Sequence, residues 1–114
     1  MPFINTITTK KISDKERETV KAELGKAIAL IPGKSESWLM LAFNDGVKMY
    51  FKGDDKCDTA YVEVSIFGSA DNASYDRLTA KLCELYEKYL GIPSDRIYIK
   101  YDECHHWGWN GSNC

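Results

Sequence analysis

The chain has 114 residues, a hydrophobic fraction of 44% and a formal net charge of −2. That length suits one domain with room for a core, and that hydrophobic fraction excludes a disordered chain. Lys and Arg are interspersed with acids, so no electrostatic footprint for nucleic acid is present, and no apolar run approaches a membrane span.

The N-terminus lacks the basic-then-apolar pattern of a secretory signal, so the expected compartment is the cytoplasm, and any outward role would need a non-classical route. The four cysteines, Cys57, Cys83, Cys104 and Cys114, form no Cys-x-x-Cys pair, which removes thioredoxin-type and zinc-ribbon readings. Cys104-His105-His106 with Cys114 is the one metal-like cluster. Adjacent ligands on a short loop suit a tetrahedral site poorly, so no metal and no cofactor are expected.

Taken in order, Pro2-Phe3-Ile4-Asn5-Thr6-Ile7-Thr8-Thr9 reads as a strand, and proline is tolerated at a strand start because its missing N–H is not needed there. Trimming Met1 would expose a secondary amine at Pro2. Among apolar neighbours or beside a cation, such an amine loses proton affinity and becomes a candidate general base. The same dipeptide also fits a chain whose small second residue merely permits methionine removal.

Ser13-Asp14-Lys15-Glu16 is a capping box. It opens a helix with Val20, Leu24, Ala27, Ile28 and Ile31 on one face, closed by Pro32-Gly33. Lys34 follows at the helix C-terminus, where a cation is favoured. Ser37 to Phe43 is apolar on both alternating faces and reads as a strand covered on both sides. Asn44-Asp45-Gly46 signals a hairpin, with Val47 to Phe51 as its return strand. Lys52 to Thr59 is a loop at the chain midpoint.

The second half repeats the plan, giving pseudo-repeats of about 2–57 and 58–114 within a single domain, 1–114. Ala60 to Phe67 reads as a strand and Gly68 to Asp71 as a turn. A helix then carries Tyr75, Leu78, Leu82, Leu85 and Tyr89, with Gly91-Ile92-Pro93 as its end. Arg96 to Tyr101 is a further strand before the tail. The pattern predicts an α+β two-layer fold, a four-stranded sheet with two helices on one face. The helix-free face then reads as too apolar to stay wet and should be covered by further copies of the chain.

Met-Pro-Phe-Ile, Gly33-Lys34, Ser65-Ile66, Asn72-Ala73-Ser74-Tyr75, Pro93-Ser94-Asp95-Arg96-Ile97-Tyr98-Ile99 and Gly108-Trp109-Asn110 occur in an order and at spacings that resemble the tautomerase superfamily, in its macrophage migration inhibitory factor and D-dopachrome tautomerase branch. The resemblance spans essentially the whole chain. It implies a homotrimer with a barrel-like core and a pocket between subunits. It also implies keto–enol tautomerisation of phenylpyruvate-type 2-oxo acids and dopachrome-like model substrates, with the N-terminal proline as base.

By that resemblance Pro2 is the catalytic residue. Lys34, Ile66, Tyr98 from the adjacent subunit, Lys100 and Trp109 contact substrate, with Trp38 a further aromatic wall and Trp107 less certain. Read by themselves, Lys34 also fits a solvated helix-end lysine, Ile66 a core residue, and Tyr98 and the tryptophans subunit contacts. Lys100 replaces an asparagine of the inhibitory-factor branch, so a second cation is expected to grip anionic substrate. The cytokine-type Cys-x-x-Cys is absent, with Asp58 and Tyr61 at the matching positions. The alternative function is a cytokine-like protein that binds a host or immune receptor through the trimer surface. Dehalogenation or decarboxylation ranks lowest, because Arg17, Arg77 and Arg96 fall at no evident pocket position.

Overall fold

The structure, a computed structural model, describes residues 1–114. Its order is β1 (Pro2–Thr8), α1 (Asp14–Ala27), β2 (Met40–Asn44), β3 (Ala60–Phe67), α2 (Asn72–Leu90) and β4 (Ile97–Cys104), then β5 (Gly108–Trp109) and β6 (Ser112–Asn113). The main sheet runs β2-β1-β3-β4. Each strand–helix–strand half makes a parallel pair, β1 with β2 and β3 with β4, and the halves join through antiparallel β1 and β3. The two halves and the two-layer α+β plan therefore stand as the sequence implies.

Helix α1 starts where the capping box places it. The Ser13 side chain accepts from the Glu16 N–H, and the Glu16 carboxylate accepts from the Ser13 N–H. Val20, Leu24, Ala27 and Ile28 face inward and are buried. Helix α2 is capped by Asp71, which accepts from Ser74 N–H, and it ends at Gly91 in the left-handed conformation, φ 68°. A side chain there would be strained, which is why glycine closes this helix.

One sheet face packs on the helices. Ile4, Val62, Val64, Ile66 and Ile97 meet Leu24, Leu78, Leu82 and Leu85 in one core. Tyr86 is fully buried beside the leucine stripe, and its hydroxyl shares a 2.6 Å hydrogen bond with Thr6 of β1. Tyrosine is admitted to an apolar interior on that condition.

Three sequence expectations are corrected around residues 36–54. The strand at Ser37–Phe43 begins only at Met40, because Glu36–Trp38 form a 3₁₀ turn closed by Trp38 N–H to Ser35 C=O at 3.2 Å and Leu39 N–H to Glu36 C=O at 3.1 Å. It is a sheet edge, and it is not covered on both faces, since Met40 is 67% exposed and no residue of the strand is fully buried. The hairpin at Asn44-Asp45-Gly46 does not form. Gly46 and Val47 N–H groups donate instead to the carbonyls of Lys10 and Thr8, so the chain continues past the end of β1. Val47–Phe51 has no strand partner beyond a Phe51–Asp54 bridge.

The helix-free face is also less apolar than its alternation implies. Phe3, Ile7, Met40, Tyr61 and Tyr98 lie there, but a polar row crosses it. The Asn44 amide donates to Asn5 Oδ1 at 2.8 Å, and the Asn5 amide donates to Glu63 Oε1 at 3.1 Å. Lys100 Nζ lies 3.7 Å from Glu63 Oε2. Strand register explains the row, since Asn5 stands opposite Glu63 and Glu63 opposite Lys100.

Candidate active site at the N-terminal strand

The start of β1 is a chemical corner as well as a structural one. Pro2 stands opposite Ile66 in the antiparallel pair, and both are buried. The Phe67 N–H donates to the Met1 carbonyl at 3.1 Å, which pins the chain end against β3. A cleft of about 440 Å³ opens over this corner, with Met1, Pro2 and Phe3 on one side, Trp38 and Met40 on another, and Trp107 and Trp109 above.

Two indoles close its mouth. Trp38, carried on the 3₁₀ turn, and Trp109, carried on β5, meet edge to face at 5.0 Å and 89°. The β5–β6 hairpin turns at Asn110-Gly111, both at positive φ (52° and 89°), the backbone a two-residue hairpin demands. This tail is assigned no element from the sequence, although its Asn-Gly pair carries the hairpin signal.

Lys34 is fixed by its ammonium donating to the Phe67 carbonyl at 2.7 Å. The terminal amine, here that of Met1, is shifted below its ordinary value, first by burial and then by the Lys34 charge and hydrogen bond, with Cys114 acting weakly in the opposite direction. Both main causes disfavour the ammonium, so this corner favours a free amine. With Met1 in place, the Pro2 nitrogen is an amide and is not basic.

Of the residues singled out in the sequence, the structure brings Pro2, Ile66, Lys34, Trp38, Trp107 and Trp109 to one end of the sheet. Tyr98 and Lys100 lie elsewhere in the same chain. Tyr98 pairs with Tyr61, five residues from Ile66 along β3, hence about 16 Å away at a strand's rise per residue. Tyr98 is 64% exposed and meets Phe51 edge to face at 5.2 Å. Lys100, opposite Glu63, lies about 10 Å from the Ile66 level by the same rise.

A second cleft, of about 400 Å³, lies between α1 and β2 and is lined by Arg17, Glu18, Lys21, Glu36, Leu39, Leu41 and Phe43. Its charged groups are exposed or half-exposed helix-surface and turn side chains, with no buried base among them. His105 and His106 are exposed in the turn after β4, and no three metal-ligating side chains converge in the chain.

The family profile described as Macrophage migration inhibitory factor (MIF) matches residues 1–114. A macrophage migration inhibitory factor of Xenopus laevis is 30% identical over 111 residues, covering 94% of each chain. Among solved structures, Leishmania major MIF2 superposes with a TM-score of 0.92 at 33% identity, over 100% of this chain and 97% of that one. A macrophage migration inhibitory factor homologue from Prochlorococcus marinus gives 0.80 at 31% identity, over 97% of each. A family match over the full length, with relatives at 30% identity or more across nearly all of the chain, leads to one conclusion: the chain belongs to the macrophage migration inhibitory factor family.

Proposed function

We propose that the chain, after loss of Met1, is a keto–enol tautomerase for phenylpyruvate-type 2-oxo acids, working as a homotrimer with its pockets between subunits. Membership of the family supports a tautomerase-type isomerase or a cytokine-like role in general terms. The observation that carries the enzymatic choice is the corner at Pro2: a buried strand start beneath an aromatic cleft, where burial and Lys34 lower the proton affinity of the chain-end amine, here that of Met1.

In this reading the free Pro2 amine takes a proton from the carbon beside the 2-oxo group and returns it to the other end of the enol system. Lys34, held by the Phe67 carbonyl, faces the substrate carboxylate and the oxygen on which charge develops. Trp38 and Trp109 hold the ring and exclude water from the amine. Tyr98 and Lys100 enter this pocket from a neighbouring subunit, which agrees with their distance from Pro2 in their own chain. A sheet face without a helix cover, on which Phe3, Met40 and Tyr98 flank the polar row, and free edges at β2 and β4 favour self-association.

The test is the Pro2→Gly protein, compared with Met1-free wild type in a phenylpyruvate enol–keto assay. Turnover is expected to fall by about 10²–10⁴, the usual contribution of a positioned base, with circular dichroism and molecular mass in solution unchanged. Equal turnover in the two proteins would remove the reading. Receptor binding that survives in the inactive variant would instead assign the chain a cytokine-like role.

A further inference from the structure

Lys100 is not a bare cation. Its ammonium lies 3.5 Å from Asp102 Oδ2, on the same strand and face, and 3.7 Å from Glu63 Oε2 across the strand pair. Two carboxylates against one ammonium leave the cluster with one excess negative charge. The Tyr61 hydroxyl beside it, and then Asp102, hold the lysine protonated above its ordinary range. The cation stays charged with two carboxylates beside it.

Glu63 is also prevented from turning away. Its other oxygen accepts from the Asn5 amide at 3.1 Å, and Asn5 is itself oriented by the Asn44 amide at 2.8 Å. The polar row thus spans all four strands of the sheet and ends on Lys100. A salt bridge between half-exposed side chains adds little stability. Asn5, Asn44 and Glu63 take positions that apolar residues would fill better if the face served only for packing. What the row does achieve is a fixed placement of one carboxylate against Lys100.

We infer that Glu63 and Asp102 are positioning residues that clamp and partly neutralise Lys100, and so set how strongly the pocket into which it projects attracts an anionic substrate. This rests on the tautomerase reading and on Lys100 reaching a neighbouring subunit's pocket. Its consequence runs against simple charge counting at the pocket. Removing an acid one strand away from the substrate tightens binding of the substrate carboxylate, whereas removing Lys100 leaves two unopposed carboxylates and weakens it.

The experiment uses Met1-free wild type, Glu63→Gln, Asp102→Asn and Lys100→Asn, each checked for the wild-type molecular mass in solution. Two readouts are taken, the kcat and KM for phenylpyruvate, and calorimetric binding of 3-phenylpropionate, a carboxylate that cannot enolise. Glu63→Gln and Asp102→Asn are expected to lower KM and the dissociation constant by about threefold to fivefold, the scale of a half-exposed ion pair, with kcat unchanged. Lys100→Asn is expected to raise both, and added salt should shrink all three differences.

A merely structural role would move stability or kcat without this opposite-signed pattern. Should Glu63→Gln fail to assemble, Asp102→Asn decides, because it leaves the Asn44–Asn5–Glu63 row intact. Unchanged or weakened 3-phenylpropionate binding in Asp102→Asn overturns the inference, as does a wild type that does not bind this probe. Absent turnover with the opposite-signed binding pattern intact would sink the tautomerase reading alone and leave the clamp standing.

Discussion

At the Pro2 end of the sheet, rings and aliphatic groups surround one amine: Ile66 across the strand, Trp38 and Trp109 overhead, and Lys34 alongside as the one cation. Toward the Tyr98 end, exposed aromatics adjoin a mid-strand lysine, Lys100, which lies between Glu63 and Asp102, with Asp102 reaching the Ser65 level. The first region lacks a second polar grip on a substrate. The second has polar groups and no pocket of its own. On the proposed function each supplies what the other lacks, since Tyr98 and Lys100 stand about 16 and 10 Å from the Ile66 level in their own chain. That difference is why the proposed site joins two copies, the strand register of one deciding what would reach the Pro2 nitrogen of the next.

The strongest way to break this comparison is to disable the two ends separately. Pro2→Gly and Tyr98→Ala proteins are each expected to be impaired, the first by about 10²–10⁴ in turnover. Unfolded together and refolded as a mixture, they should regain activity, since some pockets then pair an intact Pro2 with an intact Tyr98. A mixture no more active than its components would place both groups in one chain's site or remove Tyr98 from it.

Leu82→Ala sharpens the comparison from the other side, because it lies in the core and at neither end. It should cost about 2–5 kcal/mol of unfolding free energy, read by urea denaturation, while the KM of the folded fraction stays at the wild-type value.

Lys34→Ala acts on the Pro2 end alone. At the chain end, here Met1, burial first and then the Lys34 charge lower the amine's proton affinity. The same charge beside a free Pro2 amine is expected to act alike, so removing it should raise that pKa. Activity requires the neutral amine and is lost as pH falls through that pKa. In wild type the acid limb of the rate profile should lie below the ordinary α-amine range, and in Lys34→Ala it should move to higher pH. An unmoved limb would separate Lys34 from the base. The smallest effect is expected at Ser13→Ala, where loss of the cap costs about 1 kcal/mol and leaves kinetics untouched.

What could be read from the sequence was what is local. Ser13 and Glu16 find each other across one helical turn, and the apolar stripe from Val20 to Ile28 needs no partner to be recognised. Asn44-Asp45-Gly46 was misleading for the same reason: its hairpin signal is local, but the backbone donors at Gly46 and Val47 were claimed by Lys10 and Thr8. Tyr86 stands four residues after Leu82 on the same helix face, but its phenol can be buried only because of the Thr6 hydroxyl eighty residues away, which no local pattern shows.

The site divides in the same manner. Pro2, Lys34 and Ile66 could be named from their motifs, and the fold does bring them together. The surroundings of Lys100 could not be read, since Glu63 meets it only through the β3–β4 register and Asn5 meets Glu63 only through the β1–β3 register.

The account's central claim is tested most directly by separating, on intact mass, protein that has lost Met1 from protein that retains it and measuring phenylpyruvate turnover of each. Turnover is predicted to reside in the Met1-free fraction and to vanish where the Pro2 nitrogen is still an amide. Equal turnover in the two fractions would contradict it.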